Sequence, residues 1–180
     1  KAKHIFIIRN PIDTMNSVVS HGSLLGNEWH KSDDDRMYKE LKRMNYNPVK
    51  NKNDDLFQKE LDWWYYMNQF YLDSTKKLEV DSLYLSFDYL INNFSESIKK
   101  ICNHLNVEFD EKFLNFIQQQ RGSRTSRINL TQDNFDNCRL YMKNYKELLS
   151  EFNILDDKNF AEIHDKYKNF MKKDYDRNLL

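Results

Sequence analysis

Arg9 is the residue whose type and setting point most directly to chemistry. A guanidinium presents a rigid fork of N–H donors that matches a phosphate or a sulfate. Asn10 and Pro11 follow it, then Asp13, Ser17 and Ser20 at spacings that line these three along one face of a helix. A hydroxyl at Ser17 would lie on the same side as an anion held by Arg9. The same residues have a plain structural reading, in which Arg9 pairs with Asp13 and Ser17 is a small packing residue. Spacing leaves both open. A second basic group comes late: Arg121, Arg124 and Arg127 fall within seven residues, with Gly122 among them. Such a group either clamps a phosphate or forms a solvated basic loop.

Other reactive residue types lack a working pattern. Cys102 and Cys138 form no Cys-x-x-Cys and have no His at zinc spacing, so they read as reduced thiols of a cytosolic-type protein, or as a disulfide if the fold brings them together. His4 in a strand and His21 near a helix end read as structural. Asp33-Asp34-Asp35 does not have calcium-loop spacing and reads as part of a solvated lid. The run Trp63-Trp64-Tyr65-Tyr66 points all around a helix, which favours core packing.

Composition narrows the class. The 180 residues carry 28 Lys+Arg and 28 Asp+Glu, a zero net charge that argues against a general nucleic-acid or anionic-membrane binder. With 39% hydrophobic and 14% aromatic residues the chain is globular, and the expectation is one domain over 1–180. Only 3 Gly and 2 Pro favour long helices and exclude an intact glycine-rich phosphate loop. No apolar run approaches the ~20 residues of a membrane span, and no signal-peptide pattern opens the chain; a cytoplasmic location is expected. The chain begins without Met and goes almost at once into a strand-like run, so it is expected to be part of a longer protein.

The elements that must position Arg9 can be read from pattern. Residues 3–8 form a β-branched apolar run, expected to be a strand buried on both faces. Pro11 and Asp13 suit the first turn of a helix, with Ile12, Met15, Val18 and Val19 as its apolar stripe and Gly22 as its stop. Residues 23–55 are polar and read as an irregular lid or substrate loop, interrupted by a weak helix around Met37 to Met44. A long helix is predicted over 56–77, with Leu61, Trp64, Tyr65, Phe70 or Tyr71, and Leu72 inward. Leu83 to Phe87 reads as the second strand. A helix over 95–105 follows, with Ser95 as N-cap and Ile98, Ile101, Cys102 and Leu105 buried. Further helices are predicted over 111–119, 133–151 and 157–173. The class is α/β with few strands and many helices.

Lys3 to Ser17 resembles the 3′-phosphate-binding segment of the sulfotransferase family: a strand, then Arg-[Asn/Asp/His]-Pro-x-Asp, then Ser eight residues after the Arg. Leu83-Tyr84-Leu85-Ser86-Phe87-Asp88-Tyr89-Leu90 is similar to the family's strand ending in Tyr-Glu-Asp-Leu, and Ser97 to Val107 to the helix after it. Phe87 stands where the family has a Tyr, and Asn106 where it usually has Gly. Arg121-Gly122-Ser123-Arg124 falls where the family closes a basic loop over the phosphate, without the Gly-Asp-Trp-Lys that often follows.

The resemblance implies a three-layer, P-loop-like α/β fold and transfer of a sulfuryl group from 3′-phosphoadenosine 5′-phosphosulfate (PAPS). The product nucleotide would be adenosine 3′,5′-bisphosphate (PAP), and no metal is implied. The acceptor would be a hydroxyl or amine on a small molecule, carbohydrate or protein. Arg9 and Ser17 would hold the 3′-phosphate, helped by Arg121, Gly122 and Arg124. The family's upstream Lys-x-Gly-Thr-Thr loop, which holds the 5′-phosphosulfate and supplies a catalytic Lys, has no counterpart here. The chain would therefore correspond to the later half to two-thirds of the domain and be inactive by itself. The alternatives are a degenerate domain that binds a nucleotide or protein without catalysis, and a helical interaction module.

Overall fold

The structure, a computed structural model, describes residues 2–25, 34–46, 56–112, 114, 130–163, 165 and 167. The elements are β1 (His4–Ile8), α1 (Pro11–Leu25), α2 (Asp34–Arg43), α3 (Leu56–Leu78), β2 (Ser82–Ser86), α4 (Phe87–Asn92), α5 (Phe94–Leu105) and α6 (Gln132–Glu151). A further helical stretch covers 157–163. The architecture is mostly helical around a small parallel sheet.

Parallel strands need a crossover, here supplied by α1, α2 and α3. The register sets His4 opposite Ser82, Phe6 opposite Tyr84 and Ile8 opposite Ser86. Phe6 stacks on Tyr84 with ring centroids 5.6 Å apart and meets Tyr71 of α3 at 5.2 Å. Tyr84 also meets Phe152 at 4.5 Å and hydrogen-bonds Thr75 Oγ1 at 2.6 Å. Burial of β1 on both faces is not what the structure has: Ile8 is buried, but His4 is exposed and Ile7 is 50% exposed. Among the described residues β1 pairs only with β2, so its other edge has no strand beside it.

The core forms around α6. Phe135, Cys138, Met142, Tyr145, Leu148 and Leu149 recur at helical spacing and are all buried. They cluster with Ile12 and Met15 of α1 and with Leu61 and Trp64 of α3. Thr131 caps α6, its hydroxyl accepting the Asn134 N–H at 3.2 Å. Of the predicted inward face of α3, Leu61, Trp64 and Leu72 are buried, Tyr65 and Phe70 are half-buried, and Tyr71 is exposed.

Several boundaries depart from the sequence reading. α1 runs through Gly22 to Leu25; one glycine costs a helix about 1 kcal/mol and does not by itself end it. β2 ends at Ser86, whose side chain accepts the Tyr89 N–H at 2.9 Å, so Phe87 opens α4 rather than closing the strand. α5 starts at Phe94 with Asn93 as its cap, because the Asn93 carbonyl already receives the Ser97 N–H at 2.9 Å. Ser95 therefore lies inside the first turn, and Ser97 is the fully buried residue while Leu105 is exposed. Within 23–55, α1 extends to Leu25 and α2 occupies Asp34–Arg43; 26–33 and 47–55 lie outside the described residues, as does most of 111–119.

Four of the described helix ends share one solution. Asn45, Glu79, Asn106 and Asn153 have positive φ, from 49° to 64°. The next residue in each case returns its N–H five residues back: Tyr46 to Leu41, Val80 to Thr75, Val107 to Cys102, and Ile154 to Leu149. This is the left-handed Schellman ending, usually given to Gly. Among the described residues no helix is long and apolar enough to cross a membrane.

Candidate functional site

A polar cluster forms where the two strands end. Asn10, directly after Arg9, is 0% exposed and caps α1. Its Oδ1 accepts the Asp13 N–H at 2.8 Å, and its carbonyl accepts the Thr14 N–H at 3.1 Å and the Thr14 hydroxyl at 2.8 Å. Its Nδ2 donates to Asp13 Oδ2 at 2.8 Å and to both oxygens of Asp88 at 3.1 and 3.2 Å. Asp88 lies in the first turn of α4, just past β2. The bond from Asn10 to Asp88 has the sequence offset of the strand ladder and so extends its register past the strand ends.

Two tyrosines reach this cluster from the helical core. Tyr145 of α6 donates its hydroxyl to Asp88 Oδ2 at 3.2 Å. Burial raises its phenol far above the ordinary value, and the Asp88 charge raises it further. Tyr167 is buried beside the same groups; burial raises its phenol, Asp13 and then Asp88 add to the rise, and Arg9 opposes it. Both phenols keep their protons at neutral pH and so act as donors toward carboxylates.

Arg9 is fixed at both ends. Its carbonyl accepts the Trp64 Nε1–H at 3.0 Å, which ties the end of β1 to α3. Its guanidinium carbon lies 5.0 Å from the Phe87 ring centroid, a cation–π contact. Its Nε is buried and has no hydrogen-bond partner among the described residues. Leaving a buried donor unsatisfied costs about 1–3 kcal/mol, so an acceptor arriving from outside would be favoured there. Asp13, the residue that the sequence offered as a partner for Arg9, accepts a hydrogen bond from Asn10.

The helix end contributes less than its position implies. Pro11 has no N–H, and those of Asp13 and Thr14 are already bonded to Asn10. Ser17 is exposed on α1, six residues past Pro11, which is roughly 9 Å along the axis. An anion touching both Arg9 and Ser17 would thus lie along the flank of α1 rather than at its tip. Arg121, Gly122 and Arg124 lie outside the described residues.

The sequence singled out Arg9 but not its supports. Asn10 stood inside the motif with no role of its own. Asp88 was legible only as part of a strand end. Tyr145 and Tyr167 sit 136 or more positions beyond Arg9 in the sequence, and nothing local marks them. No family model, no curated protein and no solved structure matches this chain.

Proposed function

We propose that the chain is a sulfotransferase-like domain of the three-layer α/β kind, binding the 3′-phosphate of PAPS, or of its product PAP, through Arg9. The observation that carries this reading is Arg9 itself. It lies just past the carboxyl end of a parallel strand, where open α/β sheets take their ligands, with a buried Nε–H that has no acceptor among the described residues. It does so within an Arg-Asn-Pro-x-Asp segment. Ser17 is the second anchor, and Arg121, Gly122 and Arg124 supply further donors.

PAPS supplies the sulfuryl group, which passes in an in-line displacement to an acceptor hydroxyl or amine. Cations beside the leaving phosphate stabilise its charge. The residues of this chain bind and orient the nucleotide. The sequence contains no Lys-x-Gly-Thr-Thr loop, so nucleotide binding is the step these residues perform by themselves. Phe87 favours a second reading, a domain that binds nucleotide without transferring sulfate. Its ring lies under Arg9 and offers no hydroxyl.

Calorimetric titration of PAP into the chain, with Arg9→Ala alongside, tests the reading. Charge-assisted hydrogen bonds are each worth about 1.5–3 kcal/mol, so the substitution is expected to weaken PAP by at least about tenfold. Absence of PAP binding by a folded wild-type chain would sink the proposal. Sulfuryl transfer from PAPS to a phenol acceptor would separate the two readings.

A further inference from the structure

One polar unit occurs twice on α3. Gln58 Nε2 donates to Asp62 Oδ1 at 3.1 Å, and the Tyr141 hydroxyl of α6 donates to the same oxygen. Gln69 and Asp73 repeat that Gln–Asp pair further along the helix. Gln69 Nε2 donates to Asp73 Oδ1 at 3.4 Å, and the Tyr46 hydroxyl, just past α2, donates to Asp73 Oδ2 at 2.8 Å. The offset from Asp62 to Asp73 is about three helical turns, so the two carboxylates share one side of α3, roughly 16 Å apart along its axis.

All four donors are neutral. Burial raises the phenols of Tyr46 and Tyr141 above their ordinary value, and the carboxylate that each one meets raises it further. Both phenols therefore keep their protons, and each aspartate is oriented without losing its charge. Among the described residues no ion pair joins Asp62 or Asp73 to a Lys, Arg or His. A path of aromatic rings runs from one carboxylate to the other. Tyr141 meets Tyr65 at 6.4 Å between centroids, Tyr65 meets Tyr66 at 5.3 Å, and Tyr66 meets Tyr46 at 5.3 Å. These four tyrosines are half-buried rather than enclosed. Faces of such rings attract ammonium groups and cover apolar chain.

We propose that this stripe binds a linear polyamine, with one ammonium group at Asp62, another at Asp73, and the chain between them laid across the tyrosine rings. Charge and length both select the ligand. Two carboxylates without a cation beside them suit a ligand with at least two positive groups. Their separation suits an extended tetraamine of the spermine type, and a single metal ion cannot reach both. Methylene segments between the ammonium groups match the ring path. Neither aspartate belongs to the Arg9 corner, so the proposal is independent of the nucleotide reading.

Calorimetric titration of spermine into the chain at low ionic strength, with no nucleotide present, tests it. Hexaamminecobalt(III) is a compact polycation that cannot span the stripe, and it is expected to bind at least about fivefold more weakly. Asp62→Asn and Asp73→Asn each keep an acceptor oxygen for the Gln and Tyr donors and remove one charge. Each is expected to weaken spermine about three- to fivefold. Asp157→Asn removes an exposed carboxylate elsewhere and is expected to leave spermine binding unchanged. The comparison of the two cations uses the wild type alone, so it decides the matter even where a variant fails to fold. Absence of spermine binding, equal or tighter binding of the compact ion, loss in only one of the two α3 variants, or an equal loss in Asp157→Asn would each overturn the proposal.

Discussion

Cys138 lies on the inner side of α6 with 0% of its surface exposed, and burial pushes its thiol up to about 12 from an ordinary value of 9.0. The folded state therefore keeps a proton that the unfolded chain begins to lose near pH 9. Stability from this group is fully present below that pH and is lost as pH rises through about 12. The Tyr145 and Tyr141 phenols are raised by burial, then by Asp88 and Asp62 respectively, and act with the same sign. Thermal melts across the alkaline range are expected to show a midpoint that declines only above about pH 9. Cys102 is half-buried and, like Cys138, free. A thiol reagent is expected to label one cysteine in the native chain and the second only on unfolding; equal native rates would contradict the burial of Cys138. Arg9 could be singled out in the sequence by its place between an apolar run and a helix start, although spacing left a plain pairing with Asp13 equally open. Asn10 could not, because its importance lies in a bond to Asp88 that no local pattern encodes.

Among the elements, helices were more legible than their ends. The span 56–77 and the observed Leu56–Leu78 differ by one residue, as do 133–151 and Gln132–Glu151. Apolar periodicity over such lengths leaves little freedom. Ends depend on which carbonyl finds a donor, and that is why Gly22 failed as a stop and Ser95 as a cap. Three of the four left-handed endings use Asn, which tolerates that conformation; the fourth uses Glu79 at φ 49°. A side chain with a Cβ is strained there by about 1–2 kcal/mol, and part of the relief is offset by the entropy of glycine. Glu79→Gly is expected to raise unfolding stability in urea by about 1 kcal/mol, and Asn106→Gly by less. A loss of stability in Glu79→Gly would show that the carboxylate has a role the backbone geometry does not reveal.

At the scale of the whole molecule, α6 is the organiser. It packs against both α1 and α3 and sends Tyr145 into the polar cluster at the strand ends. Truncating a buried aromatic side chain to Ala costs about 3–5 kcal/mol, so Tyr145 serves the core and the cluster at once. The α/β class could be read from two short apolar runs among helical patterns. The exposure of β1 could not, because an apolar run looks the same whether one neighbour or two will cover it.

The parallel register joins residues 78 positions apart, and this has a consequence for the order of folding. Contacts at such separation carry a loop-closure cost and are expected to close late, after the helices between them have collapsed. Leu85, 4% exposed in β2, is then a residue whose packing forms after the transition state. Leu85→Ala is expected to destabilise the chain by about 2–4 kcal/mol. Stopped-flow traces should show nearly all of that as faster unfolding, with little change in the folding rate; a folding rate slowed in proportion would place the sheet in the nucleus. The corner holding Arg9, Asn10 and Asp88 comes into being in that same last step. An anion bound there would lengthen the lifetime of the finished chain and leave the speed of its formation untouched.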